Sequence, residues 1–374
     1  MTVSLRDLAR LMQLTGAGKL GQASRLMQRA AGLAPPPKQR RRAARSTKEF
    51  VPGDAAAAAA VADGPPASGR FTRHFFRFGG ERYAYRLFVP EAPASGVSSL
   101  RPLVVLLHGC QQDAADFARG TGMNLLAQQR QCLVLYPEQL AKSNTMRCWN
   151  WFERAHQSRG TGEPAMIVAL VHDVVKACRV DPERVYVAGL SAGGAMAALV
   201  ATLYPEVFAA AGVHSGLAAG AAGDVMSAFS AMRQGASRTA ASRAGRTVPT
   251  IVFHGAEDKT VHPANGEQVV RAALAGLDAA GLDLVESGGR HEVPVGSAAR
   301  RATERVRYSA ADGTSHVEHW TVDAGPHAWF GGDPGGSFTD PEGPGASAAM
   351  LDFFLQHRNP AALSPVGATG GAPR

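Results

Sequence analysis

The feature that most constrains the fold of this chain is the stretch at residues 185–203. It consists of a β-branched run, the sequence Gly-Leu-Ser-Ala-Gly at 189–193, and a run of helix-forming residues. This order predicts a strand, a sharp turn centred on Ser191, and a helix. Such a turn strains its central residue, so the flanking positions must lack side chains that would clash. The pattern favours a serine exposed as a nucleophile at a helix N-terminus; the alternative is a glycine-rich turn whose serine only caps the helix.

From residue 71 onwards the chain alternates between strand and helix patterns. A pair of antiparallel strands, 74–77 and 83–89, is separated by two glycines. Apolar runs typical of strands buried on both faces follow, at 102–107, 132–136, 185–190, 209–214 and 250–254. Helical patterns, such as 113–131 and 163–178, lie between them. This alternation predicts an α/β fold with parallel β-α-β units in one doubly wound, mostly parallel sheet.

The N-terminal part of the chain differs from the rest in composition. Residues 1–33 predict a small helical hairpin, and 34–70 a disordered linker rich in basic residues, alanine and proline. Residues 71–358 then form the α/β domain, and 359–374 a flexible tail. The first 50 residues carry 11 of the 39 Lys and Arg, which leaves the body close to neutral. We therefore expect no nucleic-acid partner; the basic tail is either solvated or in contact with an acidic surface.

Neither a membrane span nor a secretion signal is evident in the sequence. The longest apolar run, 55–62, is too short to cross a bilayer, and the first residues mix charges among their leucines. These features favour a cytoplasmic location. Four cysteines without C-x-x-C spacing argue against a zinc site, and their spacing leaves free thiols and disulfides equally open.

A serine nucleophile needs a base and an acid that orients the base. Asp258 is the candidate acid because it follows the buried strand 250–254 in a tight loop, with Glu257 as its neighbouring competitor. His327 is the candidate base because it lies between Gly-Pro and an aromatic pair, just after a predicted strand at 317–322. The resulting order, serine, then acid, then base, is the one expected when a nucleophile follows a strand of a doubly wound sheet.

The negative oxygen of a tetrahedral intermediate needs two backbone N–H donors. One is expected from Ala192, directly after the serine. The other should come from the loop after strand 102–107, where the sequence leaves Cys110 and Gln111 as alternatives. The aromatic cluster at 149–152 has two interpretations: apolar walls of a substrate pocket, or a structural plug.

Taken together, these motifs resemble those of a known family. The segments His-Gly-Cys-Gln-Gln at 108–112, Tyr-Pro-Glu-Gln at 136–139, Arg-Cys-Trp-Asn-Trp-Phe at 147–152, Gly-Leu-Ser-Ala-Gly-Gly at 189–194, His-Gly-x-x-Asp at 254–258 and Gly-Pro-His-Ala-Trp at 325–329 occur in this order. They resemble the polyhydroxybutyrate depolymerase family of esterases, which is similar to feruloyl and acetylxylan esterases. The resemblance covers roughly residues 71–358.

The resemblance implies an α/β-hydrolase fold and a triad of Ser191, Asp258 and His327. It also implies an oxyanion hole at Cys110 and Ala192, without metal or cofactor, and a disulfide between Cys110 and Cys148. On the pocket interpretation of the aromatic cluster, we expect substrate contacts from three tryptophans and one asparagine, namely Trp149, Asn150, Trp151 and Trp329. Many members of the family are secreted, which is at odds with the missing signal sequence.

Three hypotheses follow. The first is a serine esterase acting on a hydroxyalkanoate oligomer or polymer, and the second is a feruloyl or acetylxylan esterase acting on an acylated carbohydrate. The third belongs to another class: a non-catalytic binding protein that keeps the hydrolase scaffold.

Overall fold

The computed structural model describes residues 69–92, 100–237, 247–291 and 300–360. All of them lie in the unit Pro65–Arg374. The predicted N-terminal hairpin, almost all of the linker, and the tail from residue 361 onwards lie outside the described residues. No helix in the described part of the chain is long and apolar enough to cross a membrane.

A ten-stranded sheet runs through the unit. Its strands are β1 (Gly69–Phe78), β2 (Glu81–Pro90), β3 (Arg101–Leu107), β4 (Leu133–Pro137), β5 (Val180–Leu190), β6 (Ala210–His214), β7 (Thr250–Gly255), β8 (Val285–His291), β9 (Thr303–Ser309) and β10 (Ser315–Val322). Their order across the sheet is β1-β2-β4-β3-β5-β6-β7-β10-β9-β8. The centre, from β4 to β10, is parallel, and both edges are antiparallel. The predicted mostly parallel, doubly wound sheet is confirmed.

Helices cover both faces of the sheet: α1 (Ala114–Thr121), α2 (Met123–Arg130), α3 (Gly162–Ala177), α4 (Ala192–Leu203), α5 (Val225–Gln234), α6 (Ala264–Ala279) and α7 (Ala346–Phe354). A short pair, β11 (Trp329–Phe330) and β12 (Thr339–Asp340), lies apart from the main sheet. Along β3, Leu103, Val105 and Leu107 pack with α3 and α4, whereas the alternating residues pack with α1, α2 and α7. Every β3 position after Arg101 is buried, which explains its uninterrupted apolar run.

Local details differ from the sequence predictions in three places. The helix predicted at 113–131 is split at Gly122, whose φ of 60° ends α1 and precedes α2. The turn predicted near Asp181 lies inside β5, where the pairing with β3 shifts between Arg101 and Leu103. Asn359, predicted as tail, belongs to the body: it is 3% exposed, and its side chain donates to Pro205 O and Phe208 O.

The direction of the central strands determines where a site can form. Parallel strands end at one edge of the sheet, and the loops after β3, β4, β5, β6, β7 and β10 therefore converge there. Ser191 directly follows β5, Asp258 follows β7, and His327 follows β10. The three predicted site residues thus emerge from the same edge of the sheet.

Candidate active site

Ser191 occupies a strained turn between β5 and α4. Its φ of 56° and ψ of −118° are unfavourable for a residue with a side chain. Backbone bonds hold this geometry: Ser191 N donates to His214 O at 2.9 Å, and Ala195 N donates to Ser191 O at 2.9 Å. The predicted strand, sharp turn and helix are all present.

The glycine at 193 is required by a close approach between α4 and β3. A Cβ at Gly193 would lie 2.0 Å from Leu107 O and 2.6 Å from His108 O, distances that no side chain can adopt. The first turn of α4 therefore lies directly against the end of β3. This contact places the loop after β3 beside Ser191, as an oxyanion hole requires.

Asp258 and His327 form a hydrogen-bonded pair. His327 Nδ1–H donates to Asp258 Oδ2 at 2.7 Å, which leaves Nε2 as the proton-accepting nitrogen of the ring. The other oxygen, Oδ1, accepts from Thr260 N and Val261 N, both at 2.8 Å. The Asp258 side chain is fully buried. Both carboxylate oxygens are thus engaged, which fixes the orientation of the imidazole.

The electrostatics of this pair favour an ionised aspartate. Burial on its own raises the pKa of Asp258, but the charges and hydrogen bonds of His327 and His254 outweigh it and hold the pKa well below its usual value. His254 Nε2 lies 3.5 Å from Asp258 Oδ2 and donates to Val261 O at 2.8 Å. His254 therefore supports the aspartate loop, as its position at the end of a strand predicts.

Backbone contacts join the loop after β7, which contains Asp258 (the acid loop), to the loop after β10, which contains His327 (the base loop). Glu257 N donates to Gly325 O at 3.1 Å, and a Cβ at Gly255 would lie 2.2 Å from the same oxygen. Glu257, the competitor for the acid role, is exposed, and Asp258 is the residue that faces His327.

His214 links the serine turn to the base loop, a role that the sequence analysis did not assign. Its backbone oxygen accepts from Ser191 N, and its Nε2 accepts from Phe330 N at 3.1 Å, three residues after His327. Complete burial lowers the pKa of His214 well below its usual value, which keeps Nε2 available as an acceptor. A histidine that closes a buried strand beside the turn is the available sequence signal.

The loop after β3 forms a tight turn at Gly109. His108 Nδ1–H donates to Gly109 O at 2.8 Å, and Gln139 N donates to His108 Nε2 at 3.2 Å. Burial lowers the pKa of His108 to about 4, so this pattern is that of a neutral ring. Gln111 N donates to Met146 O at 2.7 Å, which engages one of the two donors that the sequence left open. Of the alternatives, this arrangement favours Cys110.

Cys110 is joined to Cys148 by a disulfide. The bridge that the family resemblance implies is therefore present, and it ties the loop after β3 to the long loop after β4. Cys132 and Cys178 are free.

The four predicted substrate-contacting residues are buried. Trp149 and Trp329 are 0% and 1% exposed, Asn150 is 4% exposed and Trp151 is 5% exposed. Trp329 donates from Nε1 to Ser347 Oγ at 2.9 Å, which anchors it in the core. This burial favours the structural plug over the pocket wall as the interpretation of the aromatic cluster.

A buried carboxylate that sequence reasoning missed holds the aromatic loop. Glu163 accepts from Asn150 N at 2.7 Å and from Asn150 Nδ2 at 2.8 Å, and also from Gln139 Nε2. Burial raises the pKa of Glu163. Glu163 begins a predicted helix, and such a position usually indicates an exposed first-turn acid; its burial depends on loop packing that no local pattern shows.

Among the described residues, no group of three or more His, Cys, Asp or Glu side chains is arranged to hold a metal ion.

Comparison with solved structures identifies the class of fold. An acetyl xylan esterase from Aspergillus awamori superimposes with a TM-score of 0.56 at 19% identity, and the match covers 76% of this chain and 99% of that one. The α/β-hydrolase fold is thereby confirmed.

The family follows from sequence. The profile described as esterase PHB depolymerase matches residues 83–292. The chain belongs to this family.

The relatives of this chain include proteins named as depolymerases and as feruloyl esterases. Poly(3-hydroxyalkanoate) depolymerase C of Paucimonas lemoignei is 34% identical over 61% of this chain and 55% of its own length. Poly(3-hydroxybutyrate) depolymerase of Ralstonia pickettii is 29% identical over 79% and 62%. Feruloyl esterase B of Thermothelomyces thermophilus is 33% identical over 46% and 63%. The matches thus span less than two thirds of each of these relatives.

Proposed function

We propose that this protein is a serine esterase that cleaves carboxylic esters through an acyl-enzyme. Ser191 is the nucleophile, His327 the general base and acid, and Asp258 the residue that orients His327. The observation that carries the proposal is the buried Asp258–His327 hydrogen bond of 2.7 Å at the edge of the sheet where Ser191 stands in its strained turn. Neither the strain nor the buried hydrogen bond between Asp258 and His327 is needed for a glycine-rich turn that only caps a helix.

The geometry suggests how each group acts. His327 Nε2 takes the hydroxyl proton of Ser191 as the oxygen attacks the ester carbonyl, and Asp258 stabilises the imidazolium that forms. The N–H groups of Cys110 and Ala192 receive the negative oxygen of the tetrahedral intermediate. The C–O bond of the ester then breaks, and His327 returns the proton to the departing alcohol. Water repeats the sequence on the acyl-enzyme and releases the acid.

For the substrate we propose a hydroxyalkanoate ester, either oligomeric or polymeric. Two relatives whose matches cover 61% and 79% of this chain are named as depolymerases of poly(3-hydroxyalkanoate) and poly(3-hydroxybutyrate). The second candidate is an acylated carbohydrate, which the feruloyl and acetylxylan esterases among the relatives favour. Purified protein should therefore be assayed on soluble hydroxybutyrate oligomers, feruloylated sugars and acetylated xylan, and the highest kcat/KM identifies the class.

The nucleophile can be tested by Ser191→Ala, with the exposed loop serine variant Ser158→Ala as control. We expect Ser191→Ala to abolish hydrolysis of p-nitrophenyl acetate and labelling by a fluorophosphonate, because no other hydroxyl occupies the turn. Its melting temperature should equal that of the wild type, because alanine keeps a Cβ at the same strained backbone angles and the Ser191 side chain makes no capping hydrogen bond to α4. The Ser158→Ala variant should keep full activity. Undiminished activity or labelling of Ser191→Ala would refute the assignment and leave the non-catalytic scaffold or another nucleophile.

A further inference from the structure

Gln112 is a buried amide with partners on two loops. It is 2% exposed, and its Oε1 accepts from Gly109 N at 2.9 Å. Its Nε2 donates to Ser337 O at 2.9 Å and to Asp116 Oδ2 at 3.1 Å, with a longer contact of 3.3 Å to Ser337 Oγ. Acceptor and donor of this one side chain thus serve different parts of the molecule.

The acceptor oxygen of Gln112 contacts the turn at Gly109, which precedes the expected oxyanion donor, the Cys110 N–H. Gly109 is held at both ends: its N–H donates to Gln112, and its carbonyl accepts from His108 Nδ1. The carbonyl of Gly109 and the N–H of Cys110 belong to the same peptide plane, and in a trans peptide they point in opposite directions. The described residues contain no cis peptide bond. The Gly109 N–H belongs to the preceding 108–109 peptide plane, so Gln112 holds that plane while His108 holds the 109–110 plane. Because the two planes meet at the Gly109 Cα, the two bonds together fix the direction of the Cys110 N–H.

The position of this turn relative to Ser191 makes that direction relevant. A Cβ at Gly109 would lie 3.4 Å from Leu190 O, the carbonyl immediately before Ser191. The turn and the nucleophile are thus backbone neighbours, and a small rotation of the Gly109–Cys110 plane would redirect a donor at the reacting carbonyl.

The donor side of Gln112 reaches the segment that follows His327. Ser337 lies between β11 and β12, and its N–H donates to Asp116 Oδ1 at 3.0 Å while its hydroxyl donates to Oδ2 of the same carboxylate. Asp116 lies in the first turn of α1. The three side chains Gln112, Asp116 and Ser337 form a closed polar clamp between the turn after β3 and the segment after the base loop.

We propose that Gln112 is a positioning residue that aims the Cys110 N–H at the oxyanion and keeps it in register with the His327 segment. The proposal rests on the proposed esterase function. Gln112 acts through Gly109 and does not touch the substrate, so its removal should weaken transition-state stabilisation more than substrate binding.

The first test is Gln112→Met, which keeps the length of the side chain and removes both its donor and its acceptor. We expect kcat for p-nitrophenyl acetate to fall about 10- to 100-fold, less than the loss of an oxyanion donor itself, with KM changed less than about threefold. The matched control is Asn359→Leu, which removes another buried amide, one that bonds Pro205 O and Phe208 O at the opposite edge of the sheet. It should lower the melting temperature without lowering kcat.

The second test, Gln112→Glu, remains informative if the methionine variant does not fold. The new side chain keeps an acceptor for Gly109 N, but when ionised it cannot donate and lies against the Asp116 carboxylate. When protonated, it can donate to Asp116 as the amide does. We therefore expect the ratio of its kcat to that of the wild type to rise as the pH falls from 8 to 5.

The possible outcomes distinguish a failure of the role proposed for Gln112 from a failure of the proposed esterase function. A normal kcat in Gln112→Met, with a melting temperature lowered as in Asn359→Leu, would show a structural role only and overturn the proposal. A pH-independent ratio for Gln112→Glu would overturn it as well. If the activity of the wild type does not depend on Ser191, the proposed function itself fails, and that result is read from Ser191→Ala alone.

Discussion

Two buried aspartates lie at opposite ends of the parallel strands of the central sheet, and they differ in their partners. Asp181, in the first half of β5, accepts from Arg184 Nε at 2.7 Å and from Arg358 Nη2 at 3.1 Å. Asp258 accepts from His327 and lies near His254. In both, burial alone raises the pKa of the carboxyl, and the cationic or hydrogen-bonding partners more than reverse this effect.

The difference lies in whether the partner can lose its proton. An arginine stays charged at any pH that a folded protein experiences. The negative charge of Asp181 is therefore always compensated by its arginine partners, and the pair has a structural role. In the proposed mechanism His327 takes up the proton of Ser191, so Asp258 stabilises a charge that appears only during the reaction. The two aspartates thus share similar burial and a pKa shifted in the same direction, but their proposed roles differ, and the identity of the partner, arginine or histidine, distinguishes them.

The difference between the two aspartates can be tested most directly at Asp258. In Asp258→Asn we expect kcat to fall by about 10⁴, because the amide donates toward His327 and favours the wrong tautomer of the ring. The melting temperature should fall only modestly, since Thr260 N and Val261 N keep an oxygen acceptor. Initial rates on p-nitrophenyl acetate, with the enzyme concentration raised to compensate, measure the loss. A loss below about tenfold would remove Asp258 from the orienting role.

The same substitution at the opposite edge supplies the contrast. Asp181→Asn should leave kcat and KM unchanged and lower the free energy of unfolding by about 1–3 kcal/mol, because Arg184 loses its carboxylate partner. Arg358 is half exposed and contributes little to this figure. Urea unfolding at pH 7 measures the free energy. An activity loss comparable to that of Asp258→Asn would mean that the histidine partner does not distinguish the two sites.

A smaller effect should appear in the free energy of unfolding at acidic pH. Burial lowers the pKa of His357 to about 4, as it does for His108 and His319. The unfolded chain binds protons to these rings below about pH 6.5, whereas the folded chain binds them only near pH 4. Stability is therefore fully present above about pH 6.5 and falls as the pH drops toward 4. The free energy of unfolding should decrease steadily across this window.

His357 offers the variant for this test because its ring packs edge-on against Phe353 in the core, with the ring of His316 beside it. In His357→Phe the decrease in unfolding free energy between pH 6 and 5 should be about 1 kcal/mol smaller than in the wild type. Urea titrations at the two pH values provide the comparison. An unchanged decrease would show that His357 does not titrate differently in the folded and unfolded chains.

The sequence predicted those parts of the fold that depend on local patterns. The apolar runs of β3, β4, β6 and β7 and of the second half of β5 identified the parallel centre, and the glycine-flanked Ser191 identified the turn. The edge strands β8 and β9 were not predicted, because segments such as Val285–His291 are polar and glycine-containing, and their pairing is with distant residues.

The site was predictable to a similar extent. Asp258 and His327 were predicted as candidates because each follows a strand in a loop whose position the chain order fixes, and the structure brings the two side chains together. The contact of Gln112 with Ser337 joins residues 225 positions apart, and an amide carries no periodic signal that would reveal it. The burial of Trp149 was also inaccessible, because an aromatic cluster in a loop has the same composition as a pocket wall and as a plug.

The interlocked glycines of the acid and base loops have an evolutionary consequence. The backbones at Gly255 and Gly325 touch, so the spacing between the two loops does not depend on any side chain that a neighbouring substitution could replace. A second mutation at a neighbouring residue therefore cannot compensate for a side chain at either of these two positions. In a deep mutational scan they should tolerate nothing but glycine in every genetic background, while the surface residues around them drift freely.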